Sequence, residues 1–268
     1  MKVDFMIIGA MKCGTTTLSR ILAENSDVCF SNPKEPHFFS KSASWKDNLD
    51  RYHQMFNHEG KIYGEGSTTY TSHPHFNKQI VDDIYHYNPM MKFIYIIRNP
   101  VERVISHYMH AFQRGYIKCS IDEAIEKVPI IIDTSRYYSQ ISPYLKKFSE
   151  KNIHIIIFED FIKNQQVPLD RVAKYLEIGK FKYNTNIHAN KTIGNFKPPL
   201  WMDRYYKLPK VIRNFLPFRL FGEYIKRNQF TFAKKPELSS EAIVKLRSLF
   251  EPEILKMEEL TRQDLTYW

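Results

Sequence analysis

The stretch Phe5-Met6-Ile7-Ile8-Gly9-Ala10-Met11-Lys12-Cys13-Gly14-Thr15-Thr16-Thr17-Leu18 runs from a short apolar segment, through a glycine loop, into a segment of helical length. Strand, turn and helix N-terminus in this order make an anion site, because unpaired backbone N–H groups and the helix dipole converge on one point. The two glycines have the G-x4-G spacing of a nucleotide-binding P-loop, yet Thr15 stands where that loop carries its lysine. The lysine lies inside the loop instead, at Lys12. The plainer alternative is a strand-turn-helix junction in which three threonines serve as capping residues. Strand, both glycines, lysine and hydroxyls coincide in one context, which favours the anion site. Glycine is scarce, with nine in 268 residues, so the pair Gly9 and Gly14 is informative.

Working outward, the first apolar run at 3–8 is followed by similar β-rich runs at 61–64, 92–97 and 153–158. Between them, 15–24, 75–87, 100–112 and 136–149 have helical length or periodicity, and a last helix is expected at 239–259 behind the Ser239-Ser240 cap. Pro100 suits a first helical position. Strands alternating with helices predict an α/β, P-loop-like three-layer fold, with a central parallel sheet and helices on both faces. No internal repeat or low-complexity linker divides the sequence, so 1–268 reads as one domain with a less regular insertion at 191–235.

The end of the 92–97 strand is a second test of the loop. A P-loop enzyme that uses Mg²⁺ needs a carboxylate at the end of a later strand. Here the strand ends in Arg98-Asn99-Pro100. The site is therefore expected to balance anionic charge with Lys and Arg and to need no metal. Ser106 lies two turns along the next helix, where its hydroxyl and the Arg98 guanidinium could share one phosphate. Read alone, Arg98 could equally be an ion-pair partner at a helix start.

Composition sets wider bounds. At 43% hydrophobic and 15% aromatic the chain is far from disordered sequences. Cys13, Cys29 and Cys119 form neither an even disulfide set nor a metal pattern, so a reduced, cytoplasmic setting is expected. Asp4 interrupts the opening apolar run, unlike a signal peptide, and no run reaches the roughly 18–20 residues of a membrane span. The net charge of +10 is concentrated: 191–235 holds eleven Lys or Arg against Asp203 and Glu223, with aromatic residues such as Trp201, Tyr205 and Phe230 between them. That segment reads as a lid and acceptor surface, as a basic membrane-surface helix over 208–230 suited to a glycolipid, or as a packed helical cover. No motif accompanies the charge to suggest nucleic acid.

Together these residues carry a family resemblance. Gly9 to Thr17 resembles the 5′-phosphosulfate loop of sulfotransferases that use 3′-phosphoadenosine 5′-phosphosulfate (PAPS), and Arg98-Asn99-Pro100 to Ser106 resembles their 3′-phosphate segment. Glu35-Pro36-His37-Phe38-Phe39 is similar to the Glu-x-His-Phe-Phe element of the heparan-sulfate and carbohydrate branch, and Glu65-Gly66-Ser67-Thr68-Thr69-Tyr70 to its Glu-Lys-Ser-x-x-Tyr element. Phe158-Glu159-Asp160-Phe161 and the closing 260–268 resemble late family elements. Two positions depart from the pattern: Ser40 replaces an acid after Phe-Phe, and Gly66 replaces the lysine of Glu-Lys-Ser.

The resemblance implies that Lys12, Cys13, Gly14, Thr15, Thr16 and Thr17 hold the 5′-phosphosulfate, that Arg98 and Ser106 hold the 3′-phosphate, and that Lys191 belongs to a loop covering the cofactor. It implies in-line transfer of a sulfuryl group to a hydroxyl or amine of a carbohydrate, glycolipid or other small acceptor, leaving 3′-phosphoadenosine 5′-phosphate (PAP). Lys12 is the candidate for leaving-group charge. Glu35, which alone would read as a solvated residue, becomes the candidate general base, with His37 orienting it or replacing it. Glu65 and Tyr70 rank lower, as acceptor-site candidates. The rival readings are a P-loop nucleotide or small-molecule kinase, and a non-catalytic protein that binds anionic glycans or membranes through 191–235.

Overall fold

The computed structural model describes residues 1–41, 44–179 and 235–268. Five strands form one sheet: β1 (Phe5–Gly9), β2 (Val28–Phe30), β3 (Ile62–Glu65), β4 (Lys92–Ile97) and β5 (Ile153–Ile157), in the order β2-β3-β1-β4-β5. Every neighbouring pair is parallel. All five residues of β1 are buried, as expected for the centre of a sheet covered on both faces. Phe5 pairs with Gly64 on one side and Lys92 on the other.

Among the described residues the α-helices are α1 (Thr15–Ala23), α2 (Phe38–Lys41), α3 (Leu49–His53), α4 (Ile80–Tyr87), α5 (Pro100–Gln113), α6 (Ile121–Lys127), α7 (Pro129–Asp133), α8 (Tyr137–Lys147), α9 (Phe158–Lys163), α10 (Gln166–Leu176) and α11 (Ser240–Thr261). After β1 the chain travels outward to β2 and β3, then returns past the centre to β4 and β5. With right-handed crossovers, travel in opposite directions places the connecting helices on opposite faces. It also parts the chain at the C-terminal ends of β1 and β4, the place where open α/β sheets bind ligands. The candidate loop and Arg98 follow these two strands.

One core cluster surrounds the sheet. A second lies among α5, α6, α7 and α11, where Val104, Ala124, Ile131 and Phe250 are fully buried. This second cluster anchors the back of α5, the helix that carries Ser106. At its start, Asn99 accepts from the N–H groups of Val101 and Glu102, and Pro100 takes the first turn. Ser239 caps α11 by accepting from Ala242 N at 3.2 Å.

β2 and the start of α4 differ from expectation, and the short helices α2, α3, α6, α7 and α9 and the longer α10 are additions to it. β2 has three residues, Val28–Phe30, too few to stand out as an apolar run. The helix expected over 75–87 begins at Ile80, because Asn77 turns the chain first. Its Oδ1 accepts from Gln79 N at 2.9 Å, and its Nδ2 donates to Phe39 O and to Asp83. The 191–235 segment, with candidate Lys191 and the 208–230 stretch, lies outside the described residues apart from Lys235.

Candidate active site

The loop after β1 is held by its neighbours before any ligand arrives. Gly9 is required by space, since a Cβ there would stand 2.1 Å from Thr71 Oγ1, whose hydroxyl donates to Ile8 O. Gly14 has φ +87°, and a Cβ would meet the Phe158 ring at 2.9 Å. Lys12 also takes a left-handed conformation, φ 72°, which a non-glycine residue keeps when its surroundings impose it. Ala10 N donates to Ile96 O at 2.7 Å. Two arginines grip the loop carbonyls: Arg103 Nη1 donates to Met11 O at 3.3 Å, and Arg98 Nη1 donates to Lys12 O at 3.4 Å.

Beyond the loop, the first backbone bond of α1 runs from Leu18 N to Gly14 O at 3.1 Å. The amides of Thr15, Thr16 and Thr17 precede it and face the helix's positive end. Thr15 and Thr17 are buried, whereas Thr16 is half-buried. Cys13 turns inward. Its N–H donates to Ala10 O at 3.2 Å, its thiol lies 3.8 Å from Tyr137 Oη, and burial pushes the thiol up to about 11. It shapes the loop from within, an inert thiol rather than a ligand-facing group.

Positive charge is dense here. Burial, followed by the nearby Arg98, holds the Lys12 amine below its ordinary value. Arg98 lies over the Phe158 ring, 4.9 Å from its centre, and 3.5 Å from Glu102. Its Nε is buried with no hydrogen-bond partner. Arg103 is fully buried, and its guanidinium donates to Met11 O, Ser135 Oγ, Ile131 O and His107 Nδ1, all of them neutral acceptors. Glu102, Ser106 and His110 recur at intervals of four residues and share an intermediate exposure, so they form one stripe down α5, and Arg98 reaches its first member from just before the helix. Burial, then Lys12 and Arg114, lowers His110 to about 4 and keeps its imidazole neutral.

The opposite wall comes from residues 31–41 and 65–71. Gly66 N donates to Lys34 O at 3.2 Å, which brings the segment after β2 against the end of β3. Lys34 Nζ then lies 2.6 Å from Glu35 Oε1 and 3.4 Å from Thr16 Oγ1. The other carboxylate oxygen, Glu35 Oε2, is 3.5 Å from His37 Nε2. His37 Nδ1 is 2.9 Å from Thr69 Oγ1, and Ser40 Oγ is 2.7 Å from the same hydroxyl. Burial, then Lys41, lowers the imidazole's basicity more than Glu35 restores it.

Behind that wall sits Glu65, fully buried. Its Oε1 accepts from Tyr70 at 2.6 Å and Tyr52 at 3.0 Å, and its Oε2 accepts from Ser67 at 2.6 Å. Burial raises the carboxyl to about 7 against these three hydroxyl donors. Ser67 Oγ and Tyr70 Oη in turn accept from His37 N and Phe39 N. Glu65 and Tyr70 therefore support the wall from inside and do not face an acceptor.

Comparison with known proteins identifies the family. Residues 2–260 match the family described as the sulfotransferase domain. The chain belongs to this family. It is 24% identical over 276 residues to the mouse heparan sulfate glucosamine 3-O-sulfotransferase 5, covering 98% of this chain and 73% of that protein. It is also 24% identical over 214 residues to a Caenorhabditis briggsae bifunctional heparan sulfate N-deacetylase/N-sulfotransferase 1, covering 71% of this chain. There the match spans about a quarter, 24%, of the relative's length. A sulfotransferase structure from Alicyclobacillus acidocaldarius aligns with 100% of this chain and 99% of its own, at a TM-score of 0.72 and 22% identity.

Within this sulfotransferase fold, the predicted residues fall into two facing groups. Lys12, Gly14, Thr15, Thr16 and Thr17 gather at the loop with Arg98, and Ser106 lies on the neighbouring stripe. Glu35 and His37 stand together on the opposite wall. Lys34, Thr69, Arg103 and His110 belong to the same constellation, although sequence reading gave them no role. A charged residue inside the buried face of α5 was a usable signal for Arg103; the contacts of Lys34 and Thr69 have no local signature.

Proposed function

We propose that this protein moves a sulfuryl group from PAPS to a hydroxyl or amine of a carbohydrate-type acceptor, with Glu35 as general base. The observation that carries the reading is the pairing of a cation-rich, pre-shaped anion loop with a carboxylate-imidazole pair facing it. The family and the names of the relatives, which include both an N- and a 3-O-sulfotransferase of heparan sulfate, support the reaction and the acceptor class.

The residues fit a bisphosphorylated nucleotide. Arg98 keeps a buried Nε without a partner, and Arg103 carries a buried charge that no carboxylate neutralises among the described residues. An anion bound nearby would complete both. Lys12 and the first amides of α1 would hold the 5′ end, and Arg98 with Ser106 the 3′-phosphate. The donor supplies, when bound, an electrophilic sulfur attached to a phosphate leaving group. Lys12 is placed to neutralise charge as it develops on that phosphate. Glu35 takes the acceptor's proton, and His37, anchored by Thr69, holds the carboxylate's other face. Positioning and electrostatics supply most of the acceleration in such a transfer.

Calorimetric titration with PAP, and separately with ATP and Mg²⁺, tests the reading. Tight, Mg²⁺-independent binding of PAP is the expected result; preference for ATP with Mg²⁺ overturns it in favour of a kinase. A panel of carbohydrate acceptors with labelled PAPS then identifies the product.

A further inference from the structure

The Lys34 side chain reaches from one wall of the site to the other. Its ammonium lies 3.4 Å from the hydroxyl of Thr16 in the donor loop and 2.6 Å from Glu35 Oε1. The side chain is 24% exposed, so it is largely enclosed by these neighbours while still open to an incoming ligand. Its main chain is fixed: Lys34 O accepts from Gly66 N and Ser31 Oγ. Gly66 is also where the related motif carries a lysine. The cation absent at 66 is thus replaced by one on the residue that Gly66 hydrogen-bonds.

The contacts set up a competition. A lysine ammonium is a compact charge on a flexible stem with three donors, able to exchange partners by rotating. Without donor, the acidic group within its reach is Glu35, and the contact occupies one oxygen of the base. A sulfuryl group beside Thr16 would bring anionic oxygens to the same ammonium from the other wall.

We propose that Lys34 binds the sulfuryl oxygens of the donor, and that it does so by giving up Glu35 Oε1, so that arrival of a transferable group frees the base. This rests on the donor assignment above. It makes Lys34 selective for the charged donor PAPS over the spent product PAP, which has no sulfuryl group. The ion pair of Lys34 with Glu35 re-forms once the group has been transferred, which favours product release.

The test compares affinities for PAP and PAPS by calorimetry without acceptor, in the wild type, Lys34→Met, Lys34→Arg and Glu35→Gln. Lys34→Met is expected to bind PAP within twofold of wild type while losing about tenfold for PAPS, the scale of one charge-assisted hydrogen bond. Lys34→Arg should recover most of that loss. Glu35→Gln should bind PAPS more tightly than wild type, with PAP unchanged, because Lys34 no longer has an anionic competitor. PAP binding reports that each variant has folded. The proposal is overturned if Lys34→Met leaves the PAPS-to-PAP ratio unchanged or weakens both ligands alike, and the exchange is overturned if Glu35→Gln keeps the wild-type ratio. Failure of the donor assignment looks different: the wild type itself then binds neither nucleotide.

Discussion

The Oγ1 of Thr69 stands 2.9 Å from Nδ1 of His37, and this contact sets the plane of the imidazole whose other nitrogen faces Glu35. Thr69→Val keeps the side chain's shape and removes that anchor together with the link to Ser40. Turnover is expected to fall about tenfold while PAP affinity stays within twofold, because a loosened orienting partner misplaces the base and not the nucleotide. Unchanged kcat in steady-state kinetics would falsify the orienting role of His37.

Glu35→Gln retains volume and hydrogen bonding but cannot accept the acceptor's proton. General-base removal costs roughly 10²- to 10⁴-fold in turnover. Calorimetry with PAP should give an affinity close to wild type, since Glu35 lies on the wall opposite the phosphate loop. Normal turnover by this variant removes Glu35 as base and leaves His37 as the next candidate.

Arg98→Ala should distinguish nucleotides by their 3′-phosphate. The expected loss is about 10- to 100-fold for PAP and little for 5′-AMP, which lacks that group. Ser106→Ala should show the same selectivity with a smaller loss. Equal weakening of both nucleotides would place Arg98 in the shaping of the loop, through Lys12 O, rather than in phosphate recognition.

Two buried groups give opposite pH dependences of stability. His154, on β5 and stacked on Tyr175, is lowered by burial, and then by Arg171, from 6.5 to about 4. Its neutral form is the folded one, so its stability contribution is complete above pH 6.5 and is lost as pH falls through 4, on the order of 3 kcal/mol. Glu65 is raised from 4.5 to about 7. Its contribution is complete below pH 4.5 and is lost as pH rises through 7. Urea midpoints across pH 4–8 should show a shallower acidic slope in His154→Gln and a shallower neutral slope in Glu65→Gln; slopes equal to wild type would count against these assignments.

How much the sequence revealed follows from the distance between interacting residues. β1 and β4 stood out because each is an apolar run ending in a chemical signal, Gly9 in one case and Arg98 in the other. β2 did not, since three residues carry no periodicity. The loop of residues 9–17 and its neighbour α1 are local, so their spacing exposed the anion site. The rest of the site is assembled from afar. Lys34 meets Thr16 across 18 positions, His37 meets Thr69 across 32, and Arg103 meets Met11 across 92. Glu65 was misplaced for the same reason: its motif pointed to the site, but only the fold turns its carboxylate inward onto Tyr52, Ser67 and Tyr70.

The ties from Ile96, Arg98 and Arg103 to the backbone of residues 10–12 come entirely from the β4 and α5 side of the cleft. Residues 35–41 contribute none of them. Under the proposed assignment, nucleotide grip and acceptor choice are therefore largely separate inheritances: changes on 36–41 leave the ties to residues 10–12 in place, provided that Thr71 keeps its bond to Ile8 O beside Gly9.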